Sequence, residues 1–383
     1  FSSRRRHTRY ISVTGVQTCA LPILSGTVIV MNPKTGAILA HATFPSFKPG
    51  DTKGVDPYRW QNPSVQEVYE PGSTGKVITV ASAIEEGKIA PETVMTIPYK
   101  LKRSNKVFHD HEPHPVQKLT LAGALAVSSN TGAIKVGEML SNDKLHAYLK
   151  KFGIAQKPGS GLPGEESGKL LDVEDWSGTT APTVAFGQGY SVTALQATSV
   201  FATIANDGVR VTPTVVAGMS DAAGRYTPAN KQKSVRVVSA DTAQKMRLMM
   251  ESVVSASGTA PSAAIPGYRV AGKTGTAQRV DDSCGCYRGY TASFIGFAPA
   301  DKPEFVVSVT IQDPKGLHWG GYLGGPVFKK VMSFVLKDQH IAPTAPAEFM
   351  YALNEKALQA RLASEAAATK KNSSSQSRVQ NNG

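Results

Sequence analysis

Three short motifs hold the side chains able to do chemistry: Ser73-Thr74-Gly75-Lys76, Ser128-Ser129-Asn130 and Lys273-Thr274-Gly275-Thr276. A serine hydroxyl is a weak nucleophile until a neighbouring base takes its proton. Residues three apart on a helix share a face, so the Lys76 amine can reach the Ser73 hydroxyl. Lysine serves as that base only when its pKa falls, which burial and a second cation both favour. A place at a helix start would set the positive end of the helix dipole where negative charge develops on Ser73. In the second motif Ser128 can relay a proton to a leaving amine, and Asn130 can orient Lys76 and a substrate amide; Ser129 is given no role. The third motif is the expected substrate-binding edge. There Lys273 supplies a cation for a substrate carboxylate, and Gly275 lets substrate backbone lie close against the strand. Backbone N–H groups of Ser73 and Thr276 would form an oxyanion hole, worth about 10²–10³ in rate per donor. Each motif alone is weak, but the three in this order specify acyl transfer through a serine ester.

These residues need elements to position them. Apolar runs Thr27–Met31 and Ala37–Ala42 flank Asn32-Pro33-Lys34-Thr35-Gly36, a hairpin signal. After Pro71-Gly72-Ser73 an apolar helix runs to Glu86, with Gly87 as its stop. Val77, Ile78, Val80, Ala81 and Ile84 cover most of its circumference, so it should be buried. Leu145, Tyr148, Leu149 and Phe152 have helical spacing up to Gly153. Thr193 with Gln196 forms a capping box for a helix to about Asn206. Another helix starts near Ser239 and turns Met246, Met249, Met250 and Val253 inward as core fillers. The period then changes: Tyr268–Gln278, Thr291–Ala298 and Glu304–Gln312 read as strands and Gly325–Leu336 as a closing helix. The expected fold is α/β, an antiparallel sheet completed by both chain ends, flanked by helices, with an inserted α-rich lobe.

The chain has 383 residues, 41% hydrophobic and 19% charged, with a net charge of +13. That length supports a large core. The charge suits an anionic partner such as a membrane surface or wall polymer, while the missing aromatic-basic and recognition-helix signatures argue against nucleic acid. No run of about 18 apolar residues could span a membrane. Residues 1–23 carry Arg4, Arg5, Arg6 and Arg9 without periodicity, and Val13–Ile23 is the codon-by-codon translation of a common sequencing-library adapter. They are expected to be an assembly artefact, which leaves +9 for the rest. Residues 24–342 are the expected catalytic domain, and 343–383, Ala-rich then polar, a mostly disordered tail. The run His109-Asp110-His111-Glu112-Pro113-His114 invites a metal reading, but its prolines and the missing distant ligands favour a loop near the cleft. Cys284 and Cys286 have no second pair for zinc, and a disulfide between them is geometrically unfavourable. No metal or cofactor is expected.

Glu70-Pro71-Gly72-Ser73-Thr74-Gly75-Lys76, Gly161-Leu162-Pro163-Gly164-Glu165, Phe186-Gly187-Gln188-Gly189 and Val270-Ala271-Gly272-Lys273-Thr274-Gly275-Thr276 resemble the class B penicillin-binding proteins. The division-specific, septal transpeptidases look closest, and the likeness covers roughly residues 26–342. It implies the penicillin-binding-protein/β-lactamase-like transpeptidase fold and a lipid-linked peptidoglycan stem peptide ending in D-Ala-D-Ala as donor. It also implies covalent inhibition by β-lactams and membrane proteins of the division complex as partners. The implied location is the extracytoplasmic face of the cell membrane, with an anchor and a pedestal domain missing from this chain. Phe186–Gly189 would lie by the active-site strand in a structural role. Competing readings are a D,D-carboxypeptidase or β-lactamase-type hydrolase and a non-catalytic β-lactam sensor or division scaffold. Glu165 and Glu166 stand about as far after Asn130 as the deacylating glutamate of class A β-lactamases stands after its own motif. Ser167 follows instead of that family's asparagine, so the hydrolase reading loses.

Overall fold

Apolar runs from opposite ends of the chain meet in one sheet. In a computed structural model, which describes residues 23–380 apart from 49, 52, 282, 283, 348 and 349, five antiparallel strands form this sheet. Residues 1–22, which carry nearly all of the adapter reading, lie outside the described residues. Strands β1 (Ser25–Met31) and β2 (Ile38–Phe44) make the expected hairpin. Strands β3 (Ala271–Asp281), β4 (Cys286–Ala298) and β5 (Phe305–Gln312) follow late in the chain. The order is β3-β4-β5-β1-β2, so the first and last segments pair directly, Val28 opposite Val309, and β3 is an edge. The edge strand starts at Ala271, three residues later than its apolar pattern suggests.

Side chains alternate across a strand, and here both sheet faces are covered. Val30, Ala292, Phe294, Val307 and Val309 face one way, while Ile29, Met31, Ile295, Phe297 and Val306 face the other. The second face meets the helices of the middle segment. These are α1 (Lys76–Glu85), α2 (Leu121–Ala126), α3 (Asn130–Gly137), α4 (Asn142–Lys151), α5 (Ala194–Ala205) and α6 (Ala240–Val254). The expected Thr193–Gln196 capping box starts α5, every residue of which is buried. Helix α7 (Gly320–Asp338) covers the first face, with Phe328 packed edge-on to Phe294 at 4.8 Å. Five two-stranded ladders, among the described residues, also lie outside the main sheet. One of them, Lys100–Arg103 with Lys106–His109, runs straight into Asp110.

The reading of 343–383 as a mostly disordered tail is corrected over its middle. Thr120 donates to Ala352 O at 2.6 Å through its hydroxyl and to Leu353 O at 3.2 Å through its backbone. Helix α8 (Glu355–Gln380) follows, anchored where Arg361 pairs with Glu92. Tyr351 and Leu353 pack against the core, an apolar pair that composition averaged over an Ala- and Ser-rich stretch conceals.

Candidate active site

Ser73 stands in a 3-10 turn, Gly72–Thr74, that leads directly into α1. Gly75 N–H donates to Gly72 O and Gly72 N–H to Gly187 O, both at 2.8 Å. Gly187 has φ +95°, and a Cβ there would stand 1.8 Å from Gly72 O. Phe186–Gly189 therefore supports the nucleophile turn, which itself packs against Thr276 and Ala277 of β3.

Strand β3 crosses the same turn. A Cβ on Gly275 would meet Ser293 Oγ at 2.3 Å, Thr74 Cγ2 at 3.0 Å and Pro71 O at 3.1 Å. The room this glycine makes is taken by Ser293 of β4 and by Thr74 and Pro71 of the nucleophile turn. The same close approach puts Thr276 against the residues flanking Ser73.

Lys76 is fully buried and donates to Ser128 O at 2.5 Å and Asn130 Oδ1 at 2.7 Å, with Ser128 Oγ at 3.3 Å. These partners belong to the second motif; Ser73 is not among them. Lys273, also fully buried, donates to Ser128 Oγ at 2.8 Å and lies 3.3 Å from Thr274 O and Thr274 Oγ1. One serine hydroxyl thus sits between two lysines. Burial lowers the Lys76 pKa to about 7, the nearby Asp110 charge holding it from falling further. Burial, then repulsion from Lys76, pushes Lys273 well below the usual lysine range. Desolvation disfavours the charged amine, and a like charge across one hydroxyl adds to it. A neutral Lys76 keeps two donors for Ser128 O and Asn130 Oδ1 and gains a lone pair, as a general base needs. Lys273, expected to supply a cation for a substrate carboxylate, directs its donors at Ser128 and Thr274. Thr274 Oγ1 also contacts Thr259 Oγ1 at 2.9 Å, and Thr276 Oγ1, on the half-buried end of the motif, accepts from Gly320 N–H at 3.2 Å.

Ser128 has φ +63°, the left-handed region that non-glycine residues occupy at a cost. Asp110, only 6% exposed, lies beside this turn, and spacing alone gave it no role. It is one of two acids in a proline-containing loop, without period or partner motif, and only folding shows its burial. At the cleft rim His111 meets Trp319 edge-on at 4.1 Å, and His318 stacks on Tyr290 at 4.0 Å. The metal reading of 109–114 gains no support: both His114 nitrogens face protein oxygens, Pro115 O and Asp110 Oδ2. Among the described residues no group of three or more His, Cys, Asp or Glu could hold a metal ion. Cys284 and Cys286 are joined in a disulfide near the β3–β4 turn, contrary to the geometric expectation. Glu165 accepts from the backbone N–H groups of Gly159 and Ser160, both at 2.7 Å, and Glu166 is exposed.

Fold and site together define a serine-nucleophile architecture with a paired-lysine relay on a sheet edge. Residues 26–333 match the penicillin binding protein transpeptidase domain, and the chain belongs to that family. It is 36% identical over 329 residues to penicillin-binding protein PbpB of Mycolicibacterium smegmatis, covering 83% of this chain and 51% of the relative. It is 34% identical over 332 residues to the peptidoglycan D,D-transpeptidase FtsI of Escherichia coli, covering 84% and 53%. The chain thus spans about half the length of these curated relatives. Penicillin binding protein 3 of Mycobacterium tuberculosis, complexed with ampicillin, superimposes with a TM-score of 0.83 at 32% identity. That match covers 88% of this chain and 77% of the other.

Proposed function

We propose that this chain is the catalytic domain of a serine D,D-transpeptidase that cross-links peptidoglycan stem peptides and is acylated by β-lactams on Ser73. The observation that carries the reading is the relay around Ser128, with buried Lys76 and Lys273 on either side of one hydroxyl. Neutral Lys76 takes the Ser73 proton as Ser73 Oγ attacks the carbonyl carbon of the donor peptide or lactam. Backbone N–H groups of Ser73 and Thr276 receive the oxyanion. The proton passes through Ser128 to the leaving amine, the C–N bond breaks, and the ester remains on Ser73. An acceptor amine then attacks that ester and yields its proton back along the same path. Asn130 orients Lys76 and the donor amide, while the hydroxyls of Thr274, which Lys273 contacts, and of Thr276 receive the donor carboxylate.

Hydrolysis would need a second base aimed at the ester. The best candidate on sequence, Glu165, has its carboxylate turned to the Gly159–Ser160 backbone, so the ester should persist. The family likeness favours a septal role. It also favours the extracytoplasmic face of the cell membrane, with membrane proteins of the division complex as partners. No helix among the described residues is long and apolar enough to cross a membrane.

Intact-mass measurement after penicillin treatment should show one adduct on the wild type and none on Ser73→Ala, and purified lipid-linked precursor should yield cross-linked dimer. Rapid, repeated nitrocefin turnover would instead establish the hydrolase. A stable adduct without cross-linking would favour the sensor.

A further inference from the structure

The loop at 109–114 looks at first like a spent metal motif, yet its central acid is the most heavily bonded carboxylate near the cleft. Asp110 Oδ1 accepts from the backbone N–H groups of Asn130, at 2.5 Å, and Thr131, at 2.9 Å. Its Oδ2 accepts from Ser129 Oγ at 2.7 Å and lies 3.4 Å from Thr131 Oγ1. His114 Nε2 closes the shell at 3.0 Å from Oδ2, while His114 Nδ1 faces Pro115 O at 2.6 Å. Two oxygen acceptors on one imidazole ask for both ring N–H groups, hence the protonated ring. Burial opposes that form, but hydrogen bonds to Pro115 and Asp110 and the Asp110 charge outweigh it and raise the His114 pKa.

Every residue from 129 to 131 therefore bonds Asp110, and the residue just before them is Ser128, held at φ +63°. A non-glycine residue stays in that region only when its surroundings over-determine it. Ser129 Oγ already caps α3 by accepting from Gly132 N–H at 2.9 Å, so its single proton is left for Asp110. The neighbouring backbone adds to the hold, since Asn130 Nδ2 donates to His109 O at 3.0 Å. Asn130 Oδ1 is thereby turned toward Lys76.

We infer that Asp110 is the positioning residue of the second motif. Its carboxylate clamps the Ser129–Thr131 backbone so that Ser128 Oγ and Asn130 Oδ1 meet Lys76 and Lys273 in reactive register. Ser129 is the clamp's side-chain half, and His114 braces it from outside. The inference rests on the acylation of Ser73 proposed above. Asp110 also contributes a charge near Lys76, whose other titratable neighbours are Lys273 and His111. That charge favours the ammonium, so removing it should make Lys76 a free base at lower pH.

The test is the rate constant of penicillin acylation, measured from pH 5 to 9, for wild type, Asp110→Asn, Asp110→Glu and Ser129→Ala. Asp110→Asn keeps the shape but cannot accept at every contact and loses the charge. Acylation at its plateau should fall about 10- to 100-fold, as expected when a reacting group is displaced by a fraction of an ångström. Its acid limb should move to lower pH, a displacement that a purely structural defect would not produce. Ser129→Ala keeps the charge, so it should lose rate without moving the limb. Asp110→Glu should restore the limb while recovering rate only in part. Wild-type rate and limb in both Asp110→Asn and Ser129→Ala would overturn the inference, whereas failure of the wild type to acylate would overturn the Ser73 reading instead. If Asp110→Asn proves unfolded by near-UV circular dichroism, Ser129→Ala decides: a wild-type rate there refutes the clamp.

Discussion

The lysine base gives the most direct quantitative test. Lys76 must be neutral to take the Ser73 proton, and its pKa is lowered from 10.5 to about 7, chiefly by burial. Varying pH is the perturbation. Each unit below 7 removes about nine-tenths of the free base, so acylation should fall tenfold per unit and lie roughly 100-fold under its plateau at pH 5. Above pH 8 the rate should level off. The assay is stopped-flow or quench measurement of the second-order rate constant with a fluorescent penicillin, on enzyme shown to stay folded at each pH. Stability supplies an independent readout. The unfolded chain holds the Lys76 proton up to about 10.5 and the folded chain gives it up near 7, so between these values the unfolded state binds more protons. Stability from this group must then rise with pH across that window, with the penalty fully present below pH 7. At about 1.4 kcal/mol per pKa unit the penalty is several kcal/mol, shared with Lys273. Lys76→Met does not titrate, so its Tm advantage over wild type should narrow from pH 7 to 10. A rate independent of pH from 5 to 9, or an acid limb centred near 10, would refute the claim that burial makes Lys76 the base.

Lys76→Ala should slow acylation by about 10²–10⁴, the usual worth of a positioned base, in the same fluorescent assay. Gly187→Ala would bring a Cβ to 1.8 Å from Gly72 O at φ +95°, so the nucleophile turn should shift and acylation should drop at least tenfold, with loss visible before any large fall in Tm. Phe328→Ala opens a cavity under Phe294 and should cost about 3–5 kcal/mol in denaturant unfolding while leaving the acylation chemistry intact. Arg361→Ala should free the C-terminal helix from Glu92, read as faster proteolysis between residues 350 and 361 with the acylation rate unchanged.

Much of this molecule was legible before folding because its signals are local. The apolar runs Thr27–Met31 and Glu304–Gln312 announced strands, the Thr193–Gln196 box announced a helix start, and three-residue spacing placed Lys76 one turn beyond Ser73. Motif order alone gathered Ser73, Lys76, Ser128, Asn130 and Lys273 into one chemistry. What spacing could not supply was direction and burial. Lys76 bonds Ser128 and Asn130 rather than Ser73, and Lys273 is buried against Ser128, because segments 52 to 145 residues away supply these oxygens. The space beside Gly275 is taken by Ser293, Thr74 and Pro71 of the protein itself. Asp110 carried no periodic or motif signal, since its importance comes from meeting Ser129, Asn130 and Thr131 across twenty residues of chain. Side-chain type and short-range period are written in the sequence. The pKa of an amine and the partner of a carboxylate depend on desolvation and on charges brought together only by packing, so the tertiary structure alone decided them.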